Sequence, residues 1–306
     1  MKFNKYGVAV AGMSVALLAA CGADEEEENT AGGDENGSDE ETSVDYGEEL
    51  DYTITGIEPG AGIMTAVENA IEEYGLDEWD VTASSSAAMT QELDTAIEND
   101  EPVIVTGWTP HWKFAAYDLK YLDDPEGVFG EAEDIHTMVR TDLESDMPEA
   151  YEVLDNFYWT EEDMGEIMVA INEGQDEAEA AAEWVENNQD TVAEWTDGVD
   201  AVDGEELELV FVNWDSEIAS TNMIATVLSD LGYDVTITPT EAPYMFDAVA
   251  SGEADAMVAA WLPLTHDHLV EDNEDDLVDL GANLEGARTG LVVPEYMDID
   301  SIEDLQ

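Results

Sequence analysis

Positive charge is almost missing from this sequence. Its 306 residues include 6 Lys and Arg against 78 Asp and Glu, a formal net charge of −72. A chain so acidic cannot neutralise phosphates, which excludes nucleic acid as a partner. It also offers no basic patch for docking on anionic lipid. Cysteine is nearly absent, and a single thiol, Cys21, allows no internal disulfide. No Walker loop occurs, so any ATP hydrolysis falls to another subunit. No G-x-S-x-G elbow occurs either, and Ser84-Ser85-Ser86 reads as a loop and helix cap. His266-Asp267-His268 has no Cys and no third His nearby, too few ligands for a metal site. Among so many carboxylates any two look paired, so glycosidase-like chemistry has no specific support. Neither a metal nor a cofactor is expected, and His111 and His136 read as structural or surface residues.

What is present is organised from the first residue. Residues 1–20 start basic (Lys2, Lys5), continue in a short apolar run from Val8, and close on Leu18-Ala19-Ala20 before Cys21. That is a secretory signal too short to span a membrane permanently. Leu18-Ala19-Ala20-Cys21 resembles the lipobox of bacterial lipoproteins, which implies a lipid anchor (diacylglycerol and palmitate) on Cys21. Residues 21–50 are then a lipidated Cys and a disordered acidic tether, too poor in apolar residues to offset their ordering entropy. Self-repulsion on this scale is relieved by salt. A halophilic protein on the outer face of the cell membrane, bathed in strong brine, is the expectation.

Beyond Asp51 strands alternate with helices, the signature of an α/β chain with mostly parallel sheets. Tyr52–Ile57 reads as a strand, followed by Gly60-Ala61-Gly62 and a helix ending at Gly75. Val103–Thr106 is a short buried strand running into Trp108-Thr109-Pro110. The order recurs: Leu207–Val212, the loop Asn213-Trp214-Asp215, a helix ending at Gly232, and Ala256–Ala260 running into Trp261-Leu262-Pro263. Residues 142–200 between the two units look mainly helical. Two such units predict two similar lobes with a hinge: 51–136 as the first and 137–306 as the second, with crossovers near 135–140 and 290–298. Gly290–Pro294 reads as a short strand closing the second unit.

Ligands in such folds sit at the carboxyl ends of strands, where Trp108, Trp214 and Trp261 all fall. Indole faces can hold a quaternary ammonium, which has no N–H to donate, through cation–π attraction. Core packing and sugar stacking are the other uses of such rings. Gly62 and Ile63 open a helix whose free amides and dipole favour an anion, although a plain tight turn has the same spelling. His266 is a possible partner for the same anion or a structural residue.

Five segments carry a resemblance: Gly56–Met64, Thr106–Trp112, Tyr121–Pro125, Val212–Glu217 and Ala260–His266. Together they resemble, from about Asp51 to Gln306, the glycine betaine-binding lipoproteins of OpuA-type ABC importers. The resemblance implies a two-lobed periplasmic-binding-protein-like (type II) fold and no enzyme activity. It implies a prism of Trp108, Trp214 and Trp261 around a trimethylammonium, and Gly62, Ile63 and His266 on the ligand's carboxylate. It further implies delivery to permease and ATPase subunits by a monomer, for osmoprotection. Choline, carnitine and proline betaine share the cationic head, and a secreted α/β hydrolase is the alternative from another class.

Overall fold

Short β-branched and apolar runs set the strands, and Gly or Ser punctuation sets their ends. In the computed structural model, which describes residues 45–306, nine strands form among the described residues. They are β1 (Thr53–Thr55), β2 (Asp80–Thr82), β3 (Val105–Thr109), β4 (Leu119–Tyr121), β5 (Glu133–Arg140), β6 (Glu206–Val212), β7 (Asp234–Thr240), β8 (Ala256–Leu262) and β9 (Leu277–Pro294). The expected signal peptide, Cys21 and most of the tether lie outside the described residues. The last residues of that expected tether form a turn of helix, Tyr46–Glu49, capped by the Asp45 side chain.

Strand order is β2-β1-β3-β9-β5-β8-β6-β7, with β4 also on β9. The outer strands are parallel: β1 with β2 and β3, β6 with β7 and β8. The centre is antiparallel, because β5 and β9 run against their neighbours. The result is a two-lobed α/β fold, each sheet flanked by helices. β9 belongs to both sheets: Ala287 pairs with Glu133 of β5, and the next residue, Arg288, pairs with Thr109 of β3.

The expected helices are present. Ser85 caps Ser86–Glu98 by accepting from the Ala88 amide at 3.2 Å. Asp215–Leu231 ends at Gly232, where φ is 110° and an added Cβ would lie 2.2 Å from the Val202 carbonyl oxygen. Residues 142–200 fold into helices, among them Pro148–Asn156, Glu161–Asn172, Glu177–Asn187 and Gln189–Thr196. Here Trp159, Trp184 and Trp195 are buried together, the last two stacked at 6.2 Å and 10°. These indoles are core, which separates them from the three at strand ends.

Candidate functional site

Each half of the fold delivers an aromatic ring from the end of a buried strand. Trp108 sits near the end of β3, Trp261 near the end of β8, and Trp214 just past β6. Both Trp-x-Pro segments carry a cis peptide, Thr109–Pro110 and Leu262–Pro263. The three indoles, with Ile57, Ile63, Thr265 and Thr289, line one cavity of about 290 Å³, a volume that includes its open mouth. Trp108 and Trp214 stand 6.4 Å apart at 52°. No charged side chain lines this cavity, and its size admits only a small solute.

Carboxylates hold two of the rings. Trp214 donates its Nε1–H to Glu58 Oε2 at 3.2 Å, and Trp261 donates to Glu217 Oε1 at 2.9 Å. The Trp108 Nε1–H is buried without a protein acceptor. A carboxyl oxygen accepting from an indole N–H fixes the ring plane, which holds the ring face ready for a cation. Sequence reasoning missed these acids, since nothing distinguishes two Glu among 78 carboxylates.

Glu217 is buried, and its Oε2 lacks a partner. Burial pushes its carboxyl up to about 7, against the weaker opposing pull of Trp261 and Ser216. A raised carboxyl pKa means the folded state holds the proton more tightly than the unfolded chain. The stability this adds is complete below the ordinary value near 4.5 and is lost as pH rises through about 7. Glu217→Gln is therefore expected to gain stability relative to the unaltered protein between pH 4.5 and 7, by on the order of 3 kcal/mol. Thermal melts of the ligand-free pair across pH 4–8 check it, and a pH-independent difference would remove the effect.

The residues expected to meet an anion lie beside the indole cavity. Gly62 and Ile63 are the first residues of the helix Gly62–Glu73, where amides have no intrahelical acceptor. A Cβ on Gly62 would lie 2.3 Å from the Thr265 carbonyl oxygen, so only glycine permits this approach between the lobes. Ile63 lines the indole cavity, whereas Gly62 lines a neighbouring one. His266 is fully buried and lines neither. Its Nδ1 accepts from the Trp261 amide at 3.0 Å, while the His266 amide donates to the Trp261 carbonyl at 2.9 Å. With Nδ1 so engaged, the proton is assigned to Nε2, which makes no well-formed hydrogen bond in the protein, although the Ala259 backbone favours the protonated ring. Burial, then the His268 charge, pushes the ring down to about 3, so it stays a neutral donor. It stacks on Trp214 at 6.0 Å and 11°.

Residues 37–187 and 205–306 match the family model described as the substrate binding domain of ABC-type glycine betaine transport systems. The chain belongs to that family. It is 51% identical over 301 residues to the glycine betaine/carnitine transport binding protein GbuC of Listeria monocytogenes, covering 97% of this chain and 96% of that protein. Among solved structures it is similar to lactococcal OpuAC in its closed-liganded conformation with glycine betaine. That match has 47% identity over 49% of this chain and 59% of that chain, with a TM-score of 0.47. The ProX protein of Borrelia burgdorferi matches at 38% identity over 49% of this chain and 57% of its own, also with a TM-score of 0.47. A member of this family is an extracytoplasmic substrate-binding component of an importer, not an enzyme. Among the described residues no helix is long and apolar enough to cross a membrane.

Two further residues shape the site. Glu133, at the start of β5, is buried and accepts from the Leu264 and Thr265 amides at 2.8 and 2.7 Å and from the Thr265 hydroxyl. It thereby fixes the loop that joins Trp261 to His266. Lys113 is fully buried, with Nζ 4.5 Å from the Trp108 ring centroid. Burial lowers its ammonium to about 7.

Proposed function

We propose that the chain captures glycine betaine in a cation–π cage of Trp108, Trp214 and Trp261 and hands it to an ABC permease. The observation that carries this is the convergence of three indoles on one small cavity lined by no charged side chain. A trimethylammonium gains nothing from hydrogen-bond acceptors and much from ring faces, about 2 kcal/mol for each desolvated contact. Its carboxylate is assigned to the amides of Gly62 and Ile63, with His266 Nε2–H, now stacked on Trp214 outside the cavity lining, as a third donor that the ligand must uncover. Trp108, Gly62 and Ile63 stand on the lobe of β1–β3, and Trp214, Trp261 and His266 on the lobe of β6–β8. Ligand affinity for the assembled cage therefore favours the closed form. We place the division between the lobes just before β5, with β9 from Arg288 onward returning to the first lobe. A lipid on Cys21 holds the monomer at the membrane, and the acidic surface suits brine, where such a solute is needed.

Carnitine is the second reading. The neighbouring cavity, about 560 Å³ with its mouth, shares Thr265 and Thr289 with the indole cavity and leaves room for a longer chain. The relative GbuC is named for both ligands. Titration calorimetry is expected to give a Kd in the range of about 1–100 µM for glycine betaine. Choline, lacking the carboxylate, should bind at least about 10-fold more weakly, through loss of a charge-assisted anchor. Absence of heat with every betaine, or equal affinity for choline, would sink the assignment.

A further inference from the structure

We propose that Asp215 is a positioning residue that latches the two lobes together over the ligand. The inference rests on the capture reading above but concerns no ligand contact. Asp215 opens the helix Asp215–Leu231 directly after Trp214, on the lobe of β6. Two hydrogen-bond donors and one imidazole from the other lobe converge on its carboxylate. Trp112 Nε1–H donates to Oδ1 at 2.7 Å, and the Ser86 hydroxyl donates to Oδ2 at 3.2 Å. His111 places Nε2 3.5 Å from Oδ2, a close contact short of a well-formed hydrogen bond. The His111 Nδ1 accepts from the Lys113 amide at 3.1 Å, which assigns the ring proton to the nitrogen facing Asp215.

The convergence is directional. Ser86 begins the helix that follows β2, and His111 and Trp112 follow β3, so every donor comes from the first lobe. Burial opposes ionisation of Asp215, yet the donors from His111, Trp112 and Ser86 outweigh it and hold the carboxyl at about 2. Burial, and then the Lys113 charge, lowers His111 to about 4, so it faces Asp215 as a neutral ring near pH 7. The latch also abuts the cage on both sides. Trp214 precedes Asp215 in the chain, and His111 packs edge-on against Trp108 at 4.8 Å. Opening the lobes would separate Asp215 from both donors and from His111 at once. Its contribution therefore belongs to the closed form alone and appears in the dissociation rate.

The test uses Asp215→Asn, which keeps the side chain's size and removes its charge. The Kd for glycine betaine is expected to rise about 30-fold, chiefly through faster dissociation. The ligand-free melting temperature should stay unchanged or rise with the lost negative charge. A Kd within twofold of an unaltered protein that binds would overturn the latch. A ligand-free measurement separates this from failure of the capture reading. Spin labels on Glu98→Cys and Glu186→Cys, in a Cys21→Ser background, report the distance between lobes. A closed population present with Asp215 and lost in Asp215→Asn supports the latch. Identical distance distributions overturn it, whether or not any betaine binds.

Discussion

Trp214→Ala is expected to raise the Kd for glycine betaine about 100-fold or more. One desolvated cation–π contact is worth about 2 kcal/mol, and roughly 1.4 kcal/mol is a factor of ten. The ring also packs against Trp108 and His266 and donates to Glu58 across the lobes, so its removal loosens three neighbours together. Trp214→Phe keeps an aromatic face but loses the N–H, and a rise of about 10-fold is expected. Trp184→Ala is the contrasting control. That indole lies in the helical cluster with Trp159 and Trp195. Its loss should lower stability by about 3–5 kcal/mol while leaving the Kd of the folded protein unchanged. Calorimetry and fluorescence titration decide the matter. Binding by Trp214→Ala within threefold of the unaltered protein would take the indole cage out of the mechanism.

The melting temperature is expected to climb steeply with salt. With a net charge of −72 and 6 basic residues in all, few attractions offset the repulsion among carboxylates. Among the described residues Lys120, Arg140 and His136 pair with Asp300, with Asp146 and Asp255, and with Asp279. Such partly exposed pairs contribute little each. The Debye length falls from about 30 Å at 0.01 M to about 3 Å at 1 M salt, which removes most of the repulsion between surface charges. Relief of several kcal/mol corresponds to a gain of about 10–20 °C for a domain of this size. Scanning calorimetry of the ligand-free protein from 10 mM to 2 M NaCl measures it. A flat profile would mean that the surface charge has no part in folding stability, and ligand capture would be untouched by that outcome.

The fold and the rings were legible in the sequence for a shared reason. Strand–helix alternation and the Trp-x-Pro endings repeat, and each repeat falls where a parallel strand ends. The acids that organise the site were not legible. Glu58, Glu133, Asp215 and Glu217 stand out only through which donors they face across the fold, and that has no periodicity of its own. The length of β9 was hidden for a different reason. Gly281 and Gly286, at φ of 96° and 83°, look like turn signals, and Gly290–Pro294 alone reads as a strand. Both glycines instead lie where the pairing of β9 with β5 is irregular, so the strand continues through them. His111 looked like an isolated histidine because its partner, Asp215, is distant in the chain and close only across the lobes.

Residues 288–294 sit between β3 and β4, and each of those strands is hydrogen-bonded to them. The amino-terminal lobe is thus unfinished until residues 288–294 have been translated. Its sheet has an open slot that only this late segment can fill. Maturation must follow synthesis through Pro294, and loss of residues 288–294 strikes the lobe that was made first.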